Sequence, residues 1–455
     1  MTHLWLIGLG TMGENLVRNI ISHDESIVVW NRSLDKVDAL VAETGNTVIK
    51  ADTIADLVQK TESPRNIILL VPAGKVTTEV AQELFGILSP GDAIWDLGNA
   101  HWDVTLANQA EALKHGIHWV GCGISGGSEW ARLWPALMPG GEEETVKRML
   151  PLLEKIAAKD FAGKPCVTYV GRAAAGNFVK MVHNGIEYAI MQWIAEIYDI
   201  LRSTNTSQAE MKTIFEELNT GLLKSFLLDI TVDILGTKDS DGTDLLEKIS
   251  DIAGSKGTGG WTVEAALKLG VPVPTIAESL FARWMSGRNH QNSLWKMNNE
   301  KWIMNNGGIS KIETNLLKQA LKTAYLASYF QGIELILVAE KEWNWWIDIQ
   351  EVLRIWQGGC IIRSEMLRVL PDFYREWSAP DAESKDIETL LQEAREIINS
   401  SMVPTPVLSS SYSYMLTRTS EKLPTNLIQA MRDSFGAHGV KRIWSDVSES
   451  FQWNS

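Results

Sequence analysis

The segment from Gly176 to Tyr198 concentrates residues that could carry out acid–base chemistry, within the run KMVHNGIEY. If this segment is helical, five polar side chains recur at i, i+3, i+4, i+7 and i+8 and share one face. They are Lys180, His183, Asn184, Glu187 and Tyr188. The rest of the segment is apolar nearly all round, as in a buried helix. We therefore expect these side chains to line an enclosed pocket; the alternative is a solvated face, although such faces are usually rich in Glu and Lys along their whole length.

The composition describes an ordinary globular protein with acidic character. The 455 residues suffice for two or three domains, and 45% hydrophobic with 22% charged residues is a usual balance. A net charge of −14 argues against nucleic acid as the main partner. Anionic ligands would therefore need basic residues that are gathered locally.

Cysteine use and hydropathy favour the cytoplasm. Cys122, Cys166 and Cys360 are an odd number without metal-ligand spacing, as expected of buried thiols in a reducing compartment. The chain begins with a strand pattern and no charged leader, and no apolar run reaches about 18 residues. We expect a cytoplasmic protein with no membrane partner, and its 8 histidines form no convincing metal site.

The N-terminal region has the signature of a dinucleotide-binding domain. LWLIGLGTMGENL reads as a strand, a turn with GxGxxG spacing through Gly8, Gly10 and Gly13, and a helix. The glycines permit a tight turn and a close approach of backbone to pyrophosphate, with the helix N-terminus facing the phosphates. The motif alone is weak, but a second strand follows at the right distance, at Ile27–Trp30.

The end of this second strand predicts NADP rather than NAD. It continues into Asn31, Arg32 and Ser33 instead of an acidic residue that would hold an unmodified ribose. An Arg with amide and hydroxyl neighbours suits a 2′-phosphate, although Arg32 could also be a plain surface residue. The predicted cofactor-binding residues are Gly8, Gly10, Met12, Gly13, Asn31, Arg32, Ser33, Val71, Ala73 and Asn99.

Three further strands, at 67–71, 93–96 and 118–120, run into loops rich in Gly, Pro and Asn. In an open α/β sheet the ligand lies beyond the carboxyl ends of the strands, where these loops fall. Asn99 and Ser125-Gly126-Gly127 are therefore placed beside the nicotinamide, unless they are turn residues chosen for their backbone.

From about residue 174 the pattern becomes helical, for example over 312–339 and 352–368, with loop-like stretches at 378–383 and 400–413. The predicted fold class is α/β: a Rossmann-like doubly wound sheet (1–173), a large all-helical domain (174–420) and a C-terminal tail (421–455). A weak internal duplication relates Ile194-Ala195-Glu196 and Leu223-Lys224-Ser225 to Val338-Ala339-Glu340 and Ile362-Arg363-Ser364.

Together these motifs resemble the long-chain, NADP-dependent type of the 6-phosphogluconate dehydrogenase family. The resemblance extends over nearly the whole chain, and KMVHNGIEY and the last block are highly specific to that family. The ordered motifs are GLGTMGENL, NRS, DLGN, SGG, LMPGG, KMVHNGIEY, KGTGGWT, FAR, GGCIIRS and LPTNLIQAMRDSFGAH.

The resemblance implies a role for each matching residue. Lys180 would be the general base and Glu187 the general acid. The carboxylate and hydroxyl end of the sugar acid would be held by Asn99, Ser125, Gly126, Gly127, His183 and Asn184. Its phosphate would be held by Tyr188, Lys256, Thr258 and Arg283. Arg432 and His438 of the tail would complete the site of the partner subunit, so the resemblance also implies an obligate homodimer.

The implied reaction is oxidative decarboxylation of 6-phosphogluconate to ribulose 5-phosphate and CO2, a step of the pentose phosphate pathway. A neutral Lys180 amine would take the proton of the 3-hydroxyl as hydride leaves, which requires a lowered pKa. The resulting 3-keto acid loses CO2 readily, and protonated Lys180 stabilises the enolate that forms. Glu187 then protonates the enediol at its C1.

Two other functions stay open. A related 3-hydroxy acid dehydrogenase with a smaller, unphosphorylated substrate would not need Lys256, Arg283 and Arg432 together. A catalytically silent NADP-binding paralogue is suggested only by unusual tryptophans, whereas Lys180 and Glu187 are both intact.

Some of the 19 tryptophans stand at unexpected positions. Trp5, Trp130 and Trp134 fall where the family has Gly, and a bulky residue there should clash or adopt a positive φ. We hypothesise that some of these positions are glycine in the natural protein, encoded by a reassigned stop codon. Peptide mass spectrometry of the protein from its source tests this, because Trp found at 130 and 134 would end the idea.

Overall fold

The computed structural model describes residues 2–289, 313–377, 385–400 and 403–453. Its N-terminal part is a seven-stranded sheet in the order β3-β2-β1-β4-β5-β6-β7, in which β7 is antiparallel and the other strands are parallel. The strands are β1 (Thr2–Ile7), β2 (Ile27–Trp30), β3 (Val48–Lys50), β4 (Thr61–Leu69), β5 (Ala93–Asp96), β6 (His118–Ser125) and β7 (Ala136–Gly140). The helices between and after them are α1 (Thr11–Ile21), α2 (Leu34–Thr44), α3 (Ile54–Gln59), α4 (Lys75–Phe85), α5 (Trp102–Lys114), α6 (Gly127–Leu133) and α7 (Glu143–Ile156).

The order of the strands explains where a ligand can bind. β1 lies between β2 and β4, so the chain moves outward in both directions from this point. β2, β5, β6 and the second half of β4 are largely buried, as in a parallel sheet that is covered by helices on both faces. A crevice opens at such a switch point beyond the carboxyl ends of β1 and β4.

The remaining chain is mainly helical and has one large apolar core. Its two longest helices, α8 and α13, contain 29 and 30 residues and pack against each other. The helices are α8 (Ala175–Ser203), α9 (Gln208–Leu218), α10 (Phe226–Gly236), α11 (Thr258–Leu269), α12 (Pro274–Asn289), α13 (Thr314–Trp343), α14 (Ile349–Ile355), α15 (Met366–Trp377), α16 (Lys385–Ser400), α17 (Pro406–Thr419) and α18 (Thr425–Gly436). Ser225 and Ser364, which end the two halves of the weak repeat, form an isolated antiparallel bridge, while the duplication and the domain boundaries stay predictions.

The predicted fold class is confirmed, and several predicted elements are corrected. The strand expected at 67–71 spans Thr61–Leu69, and β3 and β7 were not predicted. The helix expected over 352–368 is interrupted, because the chain turns at Gly359 with a φ of +67° before α15 begins. The loop expected over 400–413 is wrong from Pro406 onward, since a proline at the first helical position starts α17. The loop expected at 378–383 and the helix start at 312 lie outside the described residues.

The tail contains a helix and a pair of short strands. Two short strands, β8 (Val440–Lys441) and β9 (Ser448–Glu449), form an antiparallel pair after α18. Among the described residues, no helix is long and apolar enough to cross a membrane. The three cysteines are free and buried, as expected.

Trp5 and Trp134 do not show the expected backbone strain. Neither has a positive φ, and Trp5 is buried with its indole Nε1–H donating to Thr61 Oγ1 at 2.6 Å. Trp134 is 51% exposed, so it avoids a clash by pointing toward solvent. Trp346 instead has a φ of +65°, a conformation that a bulky residue rarely adopts. The side chain of Trp130 lies outside the described part of the chain.

Candidate active site

A cleft of about 1170 Å³ lies between the carboxyl edge of the sheet and the helical domain. One wall is formed by the loops that follow β1, β4, β5 and β6, and the other by α8, α11, α12 and the loop before α11. The predicted site residues in its walls are Gly10, Met12, Gly13, Val71, Asn99, Ser125, Gly126, Gly127, Lys180, Asn184, Glu187, Tyr188, Lys256, Thr258 and Arg283.

The other predicted residues lie outside these walls. Gly8 is buried beneath the turn, and His183 is fully buried behind Ser125. Ala73 follows the wall residue Pro72, and the loop at 31–33 lies at the end of β2. Arg432 and His438 are exposed on the tail and do not enter the cleft of their own chain.

The glycine turn after β1 fits a dinucleotide. Gly8 has a φ of +105°, and a Cβ there would lie 2.4 Å from the carbonyl oxygen of Leu70. A Cβ on Gly13 would lie 2.0 Å from Gly8 O, so this glycine lets α1 pack closely on the turn. At Gly10 a Cβ would meet no protein atom within 4 Å, and no side chain caps the N-terminus of α1. The open amide groups of the first helical turn can therefore receive a pyrophosphate.

The end of β2 combines a structural amide with an exposed cation. Asn31 Oδ1 accepts the Leu9 N–H at 2.9 Å, and Asn31 Nδ2 donates to Ser33 O at 3.0 Å. Asn31 therefore ties the glycine turn to the loop after β2. Arg32 and Ser33 are exposed beside it, and no acidic side chain of the described residues forms an ion pair with Arg32. A cation without an acidic partner at this edge suits a 2′-phosphate better than an unmodified ribose.

Close packing of α8 on the sheet depends on glycines in both elements. A Cβ on Gly123 of β6 would lie 2.4 Å from Lys180 Cβ, and a Cβ on Gly176 would lie 2.2 Å from Met138 O. Larger residues at these positions would push α8 away from β6 and β7. The missing side chains let Lys180 lie beside Ser125 at the end of β6.

The polar face of α8 forms a hydrogen-bond network around the Lys180 amine. Lys180 Nζ donates to Asn184 Oδ1 at 2.7 Å and to Ser125 Oγ at 3.3 Å. The same nitrogen lies 3.3 Å from His183 Nδ1, and Ser125 Oγ lies 3.0 Å from His183 Nε2. Glu187 Oε2 lies 3.8 Å from His183 Nδ1. The expected burial is confirmed, because Lys180 and Asn184 are each 6% exposed and His183 is 0% exposed.

Burial shifts the protonation of this network toward neutral forms. Burial lowers the pKa of Lys180, against the opposing attraction of Glu187. Burial raises the pKa of Glu187, which the nearby Lys180 and Arg283 charges partly offset. Burial and the Lys180 charge hold the pKa of His183 well below its usual value, so this imidazole is neutral. Both shifts favour the uncharged forms, an amine that can accept a proton and a carboxyl group that can donate one.

The far end of the cleft gathers cationic and hydroxyl groups. The Arg283 guanidinium stacks over the Tyr188 ring at 3.6 Å and donates to Gly254 O at 3.2 Å. Tyr188 Oη lies 3.3 Å from Ser255 Oγ, and Lys256 is exposed beside it. These donors can hold an anionic group about two helical turns from Lys180.

Some wall residues were not predicted from the sequence. Ser255 directly precedes Lys256, and Met191 lies three residues after Tyr188 on the same face of α8. Both residues therefore had a local signal in the sequence. Ile361 arrives from the GGCIIRS motif, whose position could not be read from helical periodicity. The full set is Thr11, Leu70, Pro72, Leu97, Gly98, Ile124, Met191, Gly254, Ser255 and Ile361.

Family models and known relatives match the chain over nearly its whole length. Residues 3–171 match the family model described as the NAD binding domain of 6-phosphogluconate dehydrogenase, and residues 176–453 match that of the 6-phosphogluconate dehydrogenase C-terminal domain. The chain is 39% identical over 450 residues to the decarboxylating 6-phosphogluconate dehydrogenase of Lactococcus lactis, covering 96% of this chain and 95% of the relative. It is 40% identical over 451 residues to decarboxylating 6-phosphogluconate dehydrogenase 2 of Saccharomyces cerevisiae, covering 96% and 91%.

A solved structure is similar over the whole length. Plasmodium falciparum 6-phosphogluconate dehydrogenase, studied in its apo form, with its cofactor NADP+ and with its substrate 6-phosphogluconate, has a TM-score of 0.90. The two are 33% identical, with 99% of this chain and 100% of that chain covered. Both domains of the fold are therefore shared.

Proposed function

The chain belongs to the 6-phosphogluconate dehydrogenase family, and we propose that it oxidises and decarboxylates 6-phosphogluconate with Lys180 as general base and Glu187 as general acid. NADP bound in the cleft supplies the acceptor for the hydride. The product is ribulose 5-phosphate with CO2. The observation that carries this proposal is the buried Lys180 amine, hydrogen-bonded to Asn184 and Ser125 on the cleft wall.

Lys180 acts first in the proposed sequence. Its amine, whose pKa burial lowers, accepts the proton of the 3-hydroxyl in its neutral form while the C3 hydride leaves. Asn184 and Ser125 orient the amine, and the neutral His183 holds Ser125 from the other side. After oxidation the ammonium of Lys180 faces the new ketone oxygen, where it stabilises the enolate that forms as CO2 departs.

Glu187 completes the sequence by protonating C1 of the enediol. It lies seven residues after Lys180, two turns along the same helical face. Burial raises the pKa of Glu187, which favours the protonated carboxyl group that this step requires. The amine and the acid therefore act at neighbouring carbons: Lys180 at the oxygen on C3 of the substrate, and Glu187 at substrate C2, which becomes C1 of the product.

A phosphorylated substrate is favoured over a small 3-hydroxy acid by the far end of the cleft. Arg283, Lys256, Tyr188 and Thr258 form a donor-rich wall there, and charge-assisted hydrogen bonds to a phosphate dianion are the stronger kind. A short unphosphorylated acid would leave these groups unused. We further propose a cytoplasmic homodimer in which Arg432 and His438 of each tail complete the partner's cleft.

The test is an assay of the purified protein with 6-phosphogluconate and NADP. We expect one NADPH and one CO2 per substrate consumed, and at least about 10²-fold lower kcat/KM with gluconate, because remote phosphate binding helps to orient the reacting end. Equal activity with the unphosphorylated acid would favour the broader 3-hydroxy acid dehydrogenase. The absence of NADPH formation would favour a catalytically silent paralogue.

A further inference from the structure

We propose that Asp433 is a positioning residue that holds the described C-terminal tail, residues 421–453, in one shape and so presents Arg432 and His438 together. The inference rests on the proposed function, because it concerns how these two residues reach the phosphate-bearing substrate of a partner's cleft. Asp433 acts through them, since its carboxylate is turned into the tail.

The tail lacks an apolar interior of its own. Helix α18 has 12 residues, and Asp433 is the one among them that is buried. On the opposite side, Leu427 and Phe435 are 63% and 76% exposed. A helix of this length and a two-stranded hairpin are each marginally stable alone in water. The order within the tail therefore depends on polar contacts.

Those contacts converge on the Asp433 carboxylate. Oδ1 accepts the Gly439 N–H at 2.8 Å, while Oδ2 accepts the Phe451 N–H at 2.9 Å and the Trp453 indole N–H at 2.8 Å. The donors come from the turn after α18 and from the last segment of the tail. The Phe451 and Trp453 N–H groups lower the pKa of Asp433 to about 2, so the carboxylate is charged at neutral pH. Charge-assisted hydrogen bonds of this kind are about twice as strong as neutral ones.

Arg432 is connected to the same network. Its Nη1 donates to Gln429 Oε1 at 3.1 Å, and Gln429 Nε2 donates to Gly439 O at 2.6 Å. Asp433 binds the amide of Gly439, and Gln429 binds its carbonyl. The guanidinium of Arg432 is therefore fixed relative to the turn after α18.

His438 lies within that turn. Ala437 has a φ of +50° and Gly439 a φ of +76°, so the chain reverses on both sides of His438. A Cβ on Gly436 would lie 2.6 Å from His438 Nε2, so this glycine leaves room for the imidazole. The Asp433 bond to Gly439 closes the reversal. Without it, His438 and Arg432 would move independently.

The principal test is Asp433→Asn in the full-length protein, because the amide places an NH2 group against N–H donors. We expect the KM for 6-phosphogluconate to rise about 10-fold or more, since the variant loses charge-assisted hydrogen bonds that hold Arg432 and His438 in place. The kcat should fall less than about 3-fold, and the KM for NADP should stay the same. Asp446→Asn is the matched control, because Asp446 is a fully exposed carboxylate of the same tail, paired with Lys441 at 3.7 Å.

Adding Asp433→Asn to a second variant tests whether Asp433 acts through Arg432 and His438 or whether its loss simply destabilises the tail. In the double variant Arg432→Ala/His438→Ala, adding Asp433→Asn should raise the KM by less than about 2-fold, because the residues through which it acts are gone. Trp453→Phe removes one donor only and should give a smaller rise, about 2–5-fold. An unchanged KM in Asp433→Asn, or a full 10-fold rise in the double variant, would overturn the inference. A wild-type protein that does not oxidise 6-phosphogluconate would instead remove the proposed function beneath it.

Discussion

The ionisable residues of the polar face of α8 are largely buried, whereas the cation of the loop after β2 is exposed to solvent. Lys180 and Glu187 are held at the cleft wall by a closely packed helix, and burial shifts the pKa values of both. Arg32 stands exposed at the end of a strand, without an acidic partner among the described residues. Buried groups with shifted pKa values control proton transfer, whereas an exposed cation attracts an anion. Substitutions in the first region should therefore change kcat, and those in the second should change cofactor binding.

The largest effect is expected from Lys180→Ala. Removal of the general base should lower kcat by about 10²-fold or more, with NADP binding retained. Steady-state rates with 6-phosphogluconate and a separate NADP titration measure the two quantities. Lys212→Ala is the control, because Lys212 is an exposed lysine on α9 paired with Glu216. Equal rates for Lys180→Ala and wild type would refute the role of Lys180.

Arg32→Glu should affect the cofactor and leave the chemistry intact. We expect the KM for NADP to rise about 10–100-fold while the KM for NAD changes little, because a charge-assisted contact to the 2′-phosphate contributes about 1.5–3 kcal/mol. Lys114→Glu reverses a similarly exposed charge on α5, away from the cleft. An unchanged preference in Arg32→Glu would mean that the 2′-phosphate is read elsewhere.

Glu196→Gln should change the pH dependence of stability without changing catalysis, although Glu196 lies on the same helix as Lys180. Glu196 of α8 is buried away from the cleft and accepts the Val407 and Leu408 N–H groups at the start of α17, each at 2.9 Å. Burial raises its pKa from the ordinary 4.5 to about 7, so between these pH values the folded protein retains a proton that the unfolded chain has lost. Stability should therefore fall as pH rises through this window, by at most about 1.4 kcal/mol per pH unit from this group.

The variant should lack that part of the slope and keep wild-type kcat and KM. Thermal unfolding of both proteins at several pH values from 4.5 to 7.5 measures the difference. An identical pH dependence for Glu196→Gln and wild type would show that the carboxyl group is not protonated in the folded protein.

The sequence predicted which residues share one helical face, but it did not predict contacts that depend on packing between distant segments. Local periodicity was enough to place Lys180, Asn184, Glu187 and Tyr188 on one face, because a helix fixes its own side-chain spacing. It could not show that Ile361 reaches the cleft, since that depends on how the interrupted segment between α14 and α15 packs. It also failed at Pro406, where the serine-rich pattern masked a helix that α13 and Glu196 stabilise by packing and capping.

The proposed substrate-binding residues of the tail show a second limit. The sequence motif marks Arg432 and His438, yet both lie outside the cleft of their own chain. In the proposed homodimer their placement would depend on a second subunit, which no pattern within one chain can position. Gly123 and Gly176 illustrate the same limit within the chain, because the contacts that need a missing side chain come from distant residues.

The pH dependence of kcat/KM for 6-phosphogluconate tests most directly whether a buried, neutral Lys180 is the base. The account predicts that activity falls at low pH with a midpoint well below the ordinary lysine pKa of about 10.4, because burial lowers the pKa of this amine. A kcat/KM that kept rising until about pH 10.4 would contradict it, since Lys180 would then titrate as a lysine in open solvent.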